Sequence, residues 1–258
     1  MTPPPPPAVP SAVDDRGAEM FARYAYAPNH LGYCGPPEPA DLRSGSATRV
    51  RAAAKKFSGA WPYLQVLSKM TGIADPLDHR LVESYWLGGG VGAGLDPGDF
   101  ARELLGLIGP RVGLYWSHLT ADLTEEAAAN HSFHVFGVYP WSRLLGRGLD
   151  EHPLRVLENC RISWATVLSR SGDDVEVQAH RLSWDGHELR LAEPSPLRLD
   201  IWADGYSALP DVEVGDRVAV HWGRLCGRLT PNQHRALQDS TVRQLRVTNQ
   251  RLQQEDYS

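Results

Sequence analysis

Val212-Glu213-Val214-Gly215-Asp216-Arg217-Val218-Ala219-Val220-His221-Trp222-Gly223 is the stretch that decides the fold class. Gly215-Asp216 has turn chemistry, since glycine reaches positive φ without a steric cost and aspartate bonds its own backbone. Val218 and Val220 then alternate with the smaller Ala219, which is the period of a strand. The strand delivers His221 beside Gly223, where backbone can be approached closely. Upstream, 161–168, 175–182, 188–191 and 197–202 are also short and often alternating, with Cys160 opening the first run. Ser-Gly-Asp-Asp, Asp-Gly and proline punctuation separates them, and this pattern predicts a small antiparallel barrel or sandwich. Trp184-Asp185-Gly186-His187 is the expected hairpin turn. Downstream, Thr230-Pro231-Asn232-Gln233 supplies a helix cap, a first-turn proline and a capping-box glutamine. Leu237, Thr241, Leu245, Thr248 and Leu252 form a stripe expected to pack on the barrel.

The preceding part is helical in pattern. Helices are predicted over 17–26, stopping before Pro28, and over 47–57 and 61–70. Leu77, Leu81, Val82 and Tyr85 have helical spacing. Asp96-Pro97 starts another helix, which Gly109-Pro110 stops. The expected organisation is therefore α+β: a proline-rich tail over 1–14, a mostly α-helical domain over 15–150, and a β-rich domain with a C-terminal helix over 151–258. Pro3 to Pro7 in the tail favour polyproline II or disorder, and a flexible tail or a ligand for a proline-reading domain is expected there.

The chain has 258 residues, a net charge of -5 and ordinary hydrophobic (42%) and charged (22%) fractions. An acidic balance gives no general electrostatic case for nucleic acid. Lysine occurs only at Lys55, Lys56 and Lys69, so arginine carries most of the positive charge. Its planar fork suits bidentate contact with carboxylates, which points to a protein partner. Cys34, Cys160 and Cys226 are odd in number and widely spaced, a poor disulfide framework. With no apolar run long enough for a bilayer and no secretion signal, a reducing cytoplasm is expected.

The order of elements after Cys160 resembles the HypC/HupF family of hydrogenase assembly chaperones, small OB-like antiparallel β-barrels with a C-terminal helix. That family opens its first strand with a cysteine. It later carries a Pro-Asp-Val-x-Val-Gly-Asp-x-Val-x-Val-His-x-Gly segment, matched here by Pro210 to Gly223. Cys160 falls on the family cysteine and His221 on the family histidine. In the family the cysteine is N-terminal and a proline follows it. Here Cys160 is internal and Arg161-Ile162-Ser163 follows, with Ser183 to Tyr206 as an insertion. The resemblance implies an accessory role in nickel–iron hydrogenase maturation rather than turnover. The expected partner is a precursor large subunit, or another maturation protein loaded with iron. A transiently bound iron centre with cyanide and carbon monoxide would meet Cys160, with His221 supporting it. The whole chain also looks like an actinobacterial family associated with hydrogenase genes.

The helical half carries its own candidate ligands. Ala27-Pro28-Asn29-His30-Leu31-Gly32-Tyr33-Cys34 holds His30 and Cys34, while Asn130-His131-Ser132-Phe133-His134 holds His131 and His134. Imidazole and thiolate together suit iron or zinc. Aromatic packing around loop histidines is the plainer account of the same residues. A metal- or haem-dependent enzyme in the helical half, with the barrel as accessory, is the second expectation. A generic OB-like ligand-binding module is the third. Cys226 is expected in the core, Glu125 and Glu126 as charged residues of a helix start, and 86–94 as a tight glycine-rich connection.

Overall fold

A computed structural model describes residues 14–43, 45–109 and 123–255. The proline tail and Pro110 lie outside them. The chain is α+β, with helices first and a mixed region of sheet and helix after them. The helices are α1 (Arg16–His30), α2 (Ala40–Arg43), α3 (Ala47–Ala54), α4 (Ala60–Thr71), α5 (His79–Leu87), α6 (Pro97–Ile108), α7 (Leu123–Glu126), α8 (His131–Phe133), α9 (Glu151–Cys160) and α10 (Pro231–Glu255). The strands are β1 (Ser163–Ser171), β2 (Asp174–Ala179), β3 (Leu182–Trp184), β4 (Leu189–Leu191), β5 (Ser195–Asp200), β6 (Arg217–His221) and β7 (Arg224–Arg228).

Helix α1 is the spine of the first half, buried along most of its length. It does not stop before Pro28 but runs through it to His30. Proline is tolerated there because only one intrahelical bond is lost near the end of the helix. The lost bond is the one its missing N–H would have made to the carbonyl of Tyr24. Asp96 caps α6 as expected, accepting from the Asp99 N–H at 2.8 Å. The glycine connection is a close-packing device: a Cβ on Gly88 would lie 2.6 Å from that of Ser240, and one on Gly89 2.8 Å from that of Ala236. Helix α10 could not sit this close over side chains.

Five strands form one antiparallel sheet in the order β5-β2-β1-β6-β7, and β3 and β4 form a separate hairpin. The sheet curls but does not close into the expected barrel. No backbone ladder joins its edges β5 and β7 among the described residues, although Arg224 on β7 bonds Asp200 on β5 at 3.2 Å. Inside the curl, Ala165, Val167, Val175, Val177, Leu199, Val218 and Val220 make a dry aliphatic core. The opposite parity is buried too. Trp164, Ala219 and Cys226 join the core of the helical half, where α1 packs on β6 and β7. Ala219 is small because a helix lies on it, not because it faces water.

The two halves thus change architecture near residue 150 while sharing apolar clusters. The capping box of α10 forms, with Gln233 N–H to Thr230 Oγ1 at 3.2 Å and Thr230 N–H to Gln233 Oε1 at 2.9 Å. Its stripe is buried as predicted, but mainly against the helical half: α10 packs on α5, α7 and α8 as well as β1 and β4. Glu125 and Glu126 lie in the first turn of α7, as expected, but Glu126 has a further role. It is buried and paired with Arg251 of α10 at 2.5 Å.

Candidate metal centre between the two halves

Three ligand-bearing side chains converge where α8, the end of α9 and the end of β6 meet. The donor atoms of His131, Cys160 and His221 all lie within 4.8 Å of one another, and all three residues are buried. They line a cavity of about 220 Å³ that also receives Cys34, His134 and Trp86. Five of the six ligand candidates in the sequence therefore share one cavity, drawn from both halves of the chain. His30 is the exception. It turns away to pair with Asp204 at 2.7 Å and stacks on Tyr26.

Cys160 is not the first residue of a strand but the last of helix α9. A helix end leaves carbonyls without intrahelical partners. The Asn159 carbonyl accepts the Trp222 backbone N–H at 2.9 Å. The Cys160 carbonyl lies 2.9 Å from His131 Nε2, which must be the donor because a carbonyl only accepts. His131 Nδ1 then carries the lone pair and accepts from the Tyr85 hydroxyl at 3.1 Å. His131 thus has both ring nitrogens engaged and fixes the position of Cys160.

His221 is held differently. Its Nδ1 lies 2.7 Å from the carbonyl of Tyr24, so it donates there. That carbonyl is the one Pro28 leaves without an intrahelical donor. Fixing the proton on Nδ1 puts the lone pair on Nε2, which is buried and has no partner. A backbone carbonyl on one imidazole nitrogen, with the other left free, is the usual support of a metal-ligating histidine. His134 opens a π-helical turn over 134–138, an irregularity often found at functional sites. Its Nδ1 is buried without a partner, and its ring lies against Gly59, where a Cβ would come within 2.8 Å of Nε2.

Burial sets the electrostatics. Desolvation pulls His131 well below the usual histidine value, with the neighbouring His221 and His134 adding to it. Desolvation takes His134 down to about 3 and His221 to about 4. Burial pushes the Cys160 thiol well up and the Cys34 thiol up to about 12. The cavity therefore presents neutral imidazoles and protonated thiols. Neutral imidazole is the ligating form, and thiol ligation would release a proton.

Trp222 and Tyr33 cover the cavity. Their rings stack at 3.8 Å, and Tyr33 is largely exposed. Trp222 has φ 50 and Gly223 φ 69, the paired positive φ values of a tight hairpin turn between β6 and β7. For a tryptophan such a conformation costs on the order of 1–3 kcal/mol and persists only where neighbours enforce it. Here Tyr33 and the Asn159 carbonyl do so. Cys34 is brought in by the same loop, since Asn29 Nδ2 donates to the carbonyls of Cys34 and Pro36 at 2.9 and 2.5 Å.

Sequence reasoning missed Trp222, Tyr85 and Tyr33. The signal for Trp222 was its place before Gly223 in a two-residue turn, which needed recognition of β7. Cys226 is buried in the helical-half core, as expected.

Residues 13–255 match the DUF6390 family, described as a family of unknown function, and the chain belongs to it. No curated protein and no solved structure matches the chain. Among the described residues no helix is long and apolar enough to cross a membrane.

Proposed function

We propose that the protein binds a first-row transition metal, iron in the first place, in the cavity between its halves. We further propose that it serves as a cytoplasmic accessory protein in nickel–iron hydrogenase maturation, holding such a centre for a precursor large subunit or receiving it from another maturation protein. The observation that carries the metal reading is the meeting of the Cys160 thiol with His221, whose buried Nε2 makes no hydrogen bond, beside a His131 that is already engaged at both nitrogens. Thiol and imidazole together suit iron or zinc better than hard cations. The resemblance to HypC/HupF rests on the order of elements and the Pro210 to Gly223 segment; the two residues it matches, Cys160 and His221, lie side by side, although Cys160 ends a helix rather than opening a strand. His221 Nε2 and Cys160 Sγ are the ready donors, His134 and Cys34 line the same cavity, and His131 orients Cys160. When bound, iron would supply a site for small π-acceptor ligands such as cyanide and carbon monoxide. The apolar, aromatic walls would keep water from them.

A resident metal enzyme is the second reading, favoured by the space left beside the donors. Haem fits poorly, because about 220 Å³ is below the ~300–1,000 Å³ of pockets for drug-sized ligands.

The test is to purify the protein anaerobically from a hydrogenase-producing host and measure metal content, infrared spectrum and co-purifying proteins. The expected result is bound iron with cyanide and carbonyl bands, lost in Cys160→Ala, and a hydrogenase precursor in the eluate. Iron without those bands, and normal hydrogenase activity in a Cys160→Ala strain, would favour the enzyme. Protein that takes up neither iron nor zinc would overturn both.

A further inference from the structure

A second cavity, of about 390 Å³, lies on the far side of Trp222, at the mouth left open between β5 and β6–β7. Four arginines line it: Arg161, Arg181, Arg198 and Arg224. Two carboxylates, Glu158 and Asp200, line it as well, so the walls carry an excess of positive charge. The carboxylates are already engaged. Glu158 accepts from Arg161 Nε at 3.0 Å and from the Leu182 N–H at 2.7 Å, and Asp200 accepts from Arg224 Nη1 at 3.2 Å. Arg198 gives Nη2 to Asp174 at 2.5 Å. Arg181 has no carboxylate partner among the described residues.

Arg161 is the decisive residue. Its side chain is 1% exposed, yet Nη1 has no partner. A buried charged donor with no acceptor is costly, so an acceptor belongs there. Trp222 lines both cavities and separates them, its indole turned to the Cys160 thiol on the other side.

We infer that this groove is an oxyanion site that takes a carboxylate, with Arg161 at its floor and Arg181, Arg198 and Arg224 at its rim. Planar guanidinium forks match the two oxygens of a carboxylate. The remaining volume accommodates the molecule that carries it, either a free small dicarboxylate or a polypeptide presenting an acidic side chain or its C-terminus. The inference does not rest on the metal reading, since none of its arginines is a candidate ligand.

The test is calorimetric titration of the full chain with three probes: glutarate, a hexapeptide ending in a free C-terminal glutamate, and the same peptide with glutamine and an amidated end. Saturable binding of either acidic probe, weakened at least tenfold in Arg181→Gln/Arg198→Gln, is expected. The amidated peptide should not bind. Tighter binding of the peptide than of glutarate would identify a polypeptide as the source, and the reverse a small molecule. Both arginines in the double variant are exposed, so folding is not at stake, and circular dichroism checks it. No heat with either acidic probe at millimolar concentration, or equal binding by the double variant, would overturn the inference. Cys160→Ala should bind the acidic probe normally, which separates this site from the metal cavity.

Discussion

Two buried polar regions of the molecule are finished in opposite ways. Around α10, Glu126 accepts from Arg251 Nε at 2.5 Å and faces the Thr248 hydroxyl at 3.4 Å. Arg251 also donates to the Phe136 carbonyl and to Ser142 Oγ. Asn249 exchanges two bonds with the Leu189 backbone, both at 2.9 Å. In the cavity, by contrast, His221 Nε2, His134 Nδ1 and the indole N–H groups of Trp86 and Trp222 are buried without partners. Buried polar groups are ordinarily satisfied, and a cluster that is not calls for an explanation, here an ion for the open imidazole nitrogens and an acceptor brought with it for the indole N–H groups. Around α10, Gln244 Nε2 alone among the described α10 groups lacks a partner, so the first region is architecture, while the second, with several open groups facing one cavity, is built to receive something.

The largest effect should come from breaking the satisfied region. Arg251→Ala leaves the buried Glu126 unpaired, its carboxyl already pushed up by burial and driven to take up a proton, and removing one partner of such a pair costs up to about 3–5 kcal/mol. For a chain of this size that is a fall of roughly 10 °C in melting temperature. Thermal unfolding of the metal-free protein measures it. A loss of under about 1 kcal/mol, typical of a solvated ion pair, would remove the distinction between the two regions.

The same experiment on the unsatisfied region should give the opposite outcome. His221→Phe keeps ring volume and removes a nitrogen that has no partner. It forfeits the bond to the Tyr24 carbonyl, which is left without a donor, at about 1–3 kcal/mol. Metal affinity, however, should fall by more than about a hundredfold, since changes to supporting residues alone cost 10–100-fold. Metal analysis beside melting temperature reads both. If His221→Phe destabilises as much as Arg251→Ala and leaves metal uptake intact, the cavity is a core defect and not a site.

Much of this contrast was legible in the chain, because donor residues stood beside aromatics, glycine and proline. Cys34, His131 and His134 could be picked by type and setting, as could His30, which lies elsewhere, while Cys160 and His221 came from the family resemblance. Convergence on one cavity could not be read, since His221 bonds a residue of α1 almost the whole chain away. The helical state of Cys160 was missed although Leu154, Leu157 and Cys160 repeat at helical spacing and Pro153 suits a first turn. The family pattern, which begins a strand at its cysteine, outweighed them. Strand β7 escaped because Arg224-Leu225-Cys226-Gly227-Arg228 offers only two apolar residues and a glycine. The curl stays open because β5 and β7 meet through side chains rather than a ladder, and no local sequence signal reports that.

Pro28 sharpens the comparison further. Pro28→Ala restores an N–H that competes with His221 Nδ1 for the Tyr24 carbonyl. The helix gains a bond, so stability should change by less than about 1 kcal/mol. The His221 proton is no longer pinned to Nδ1, and metal affinity should fall by about 10–100-fold. Competition with a metal indicator measures this. Unchanged affinity would show that the tautomer is set by something other than the carbonyl that proline frees.

The smallest effect belongs to the start of α10. Thr230→Ala removes the acceptor of the Gln233 N–H, and loss of such a cap costs about 1 kcal/mol. Gln233 is the less clean choice, because it also donates to Glu83 at 2.5 Å. The helix itself should survive, because Leu237, Leu245 and Leu252 are buried along its length, each contributing ~1.5–3 kcal/mol. Metal content should stay at the wild-type level, since the cap touches no cavity residue. A cap variant that lost metal would mean that α10 transmits strain to the π-helical turn at His134 through Arg251 and Phe136. The satisfied region would then be the support of the unsatisfied one, and the two would have to be treated as a single unit.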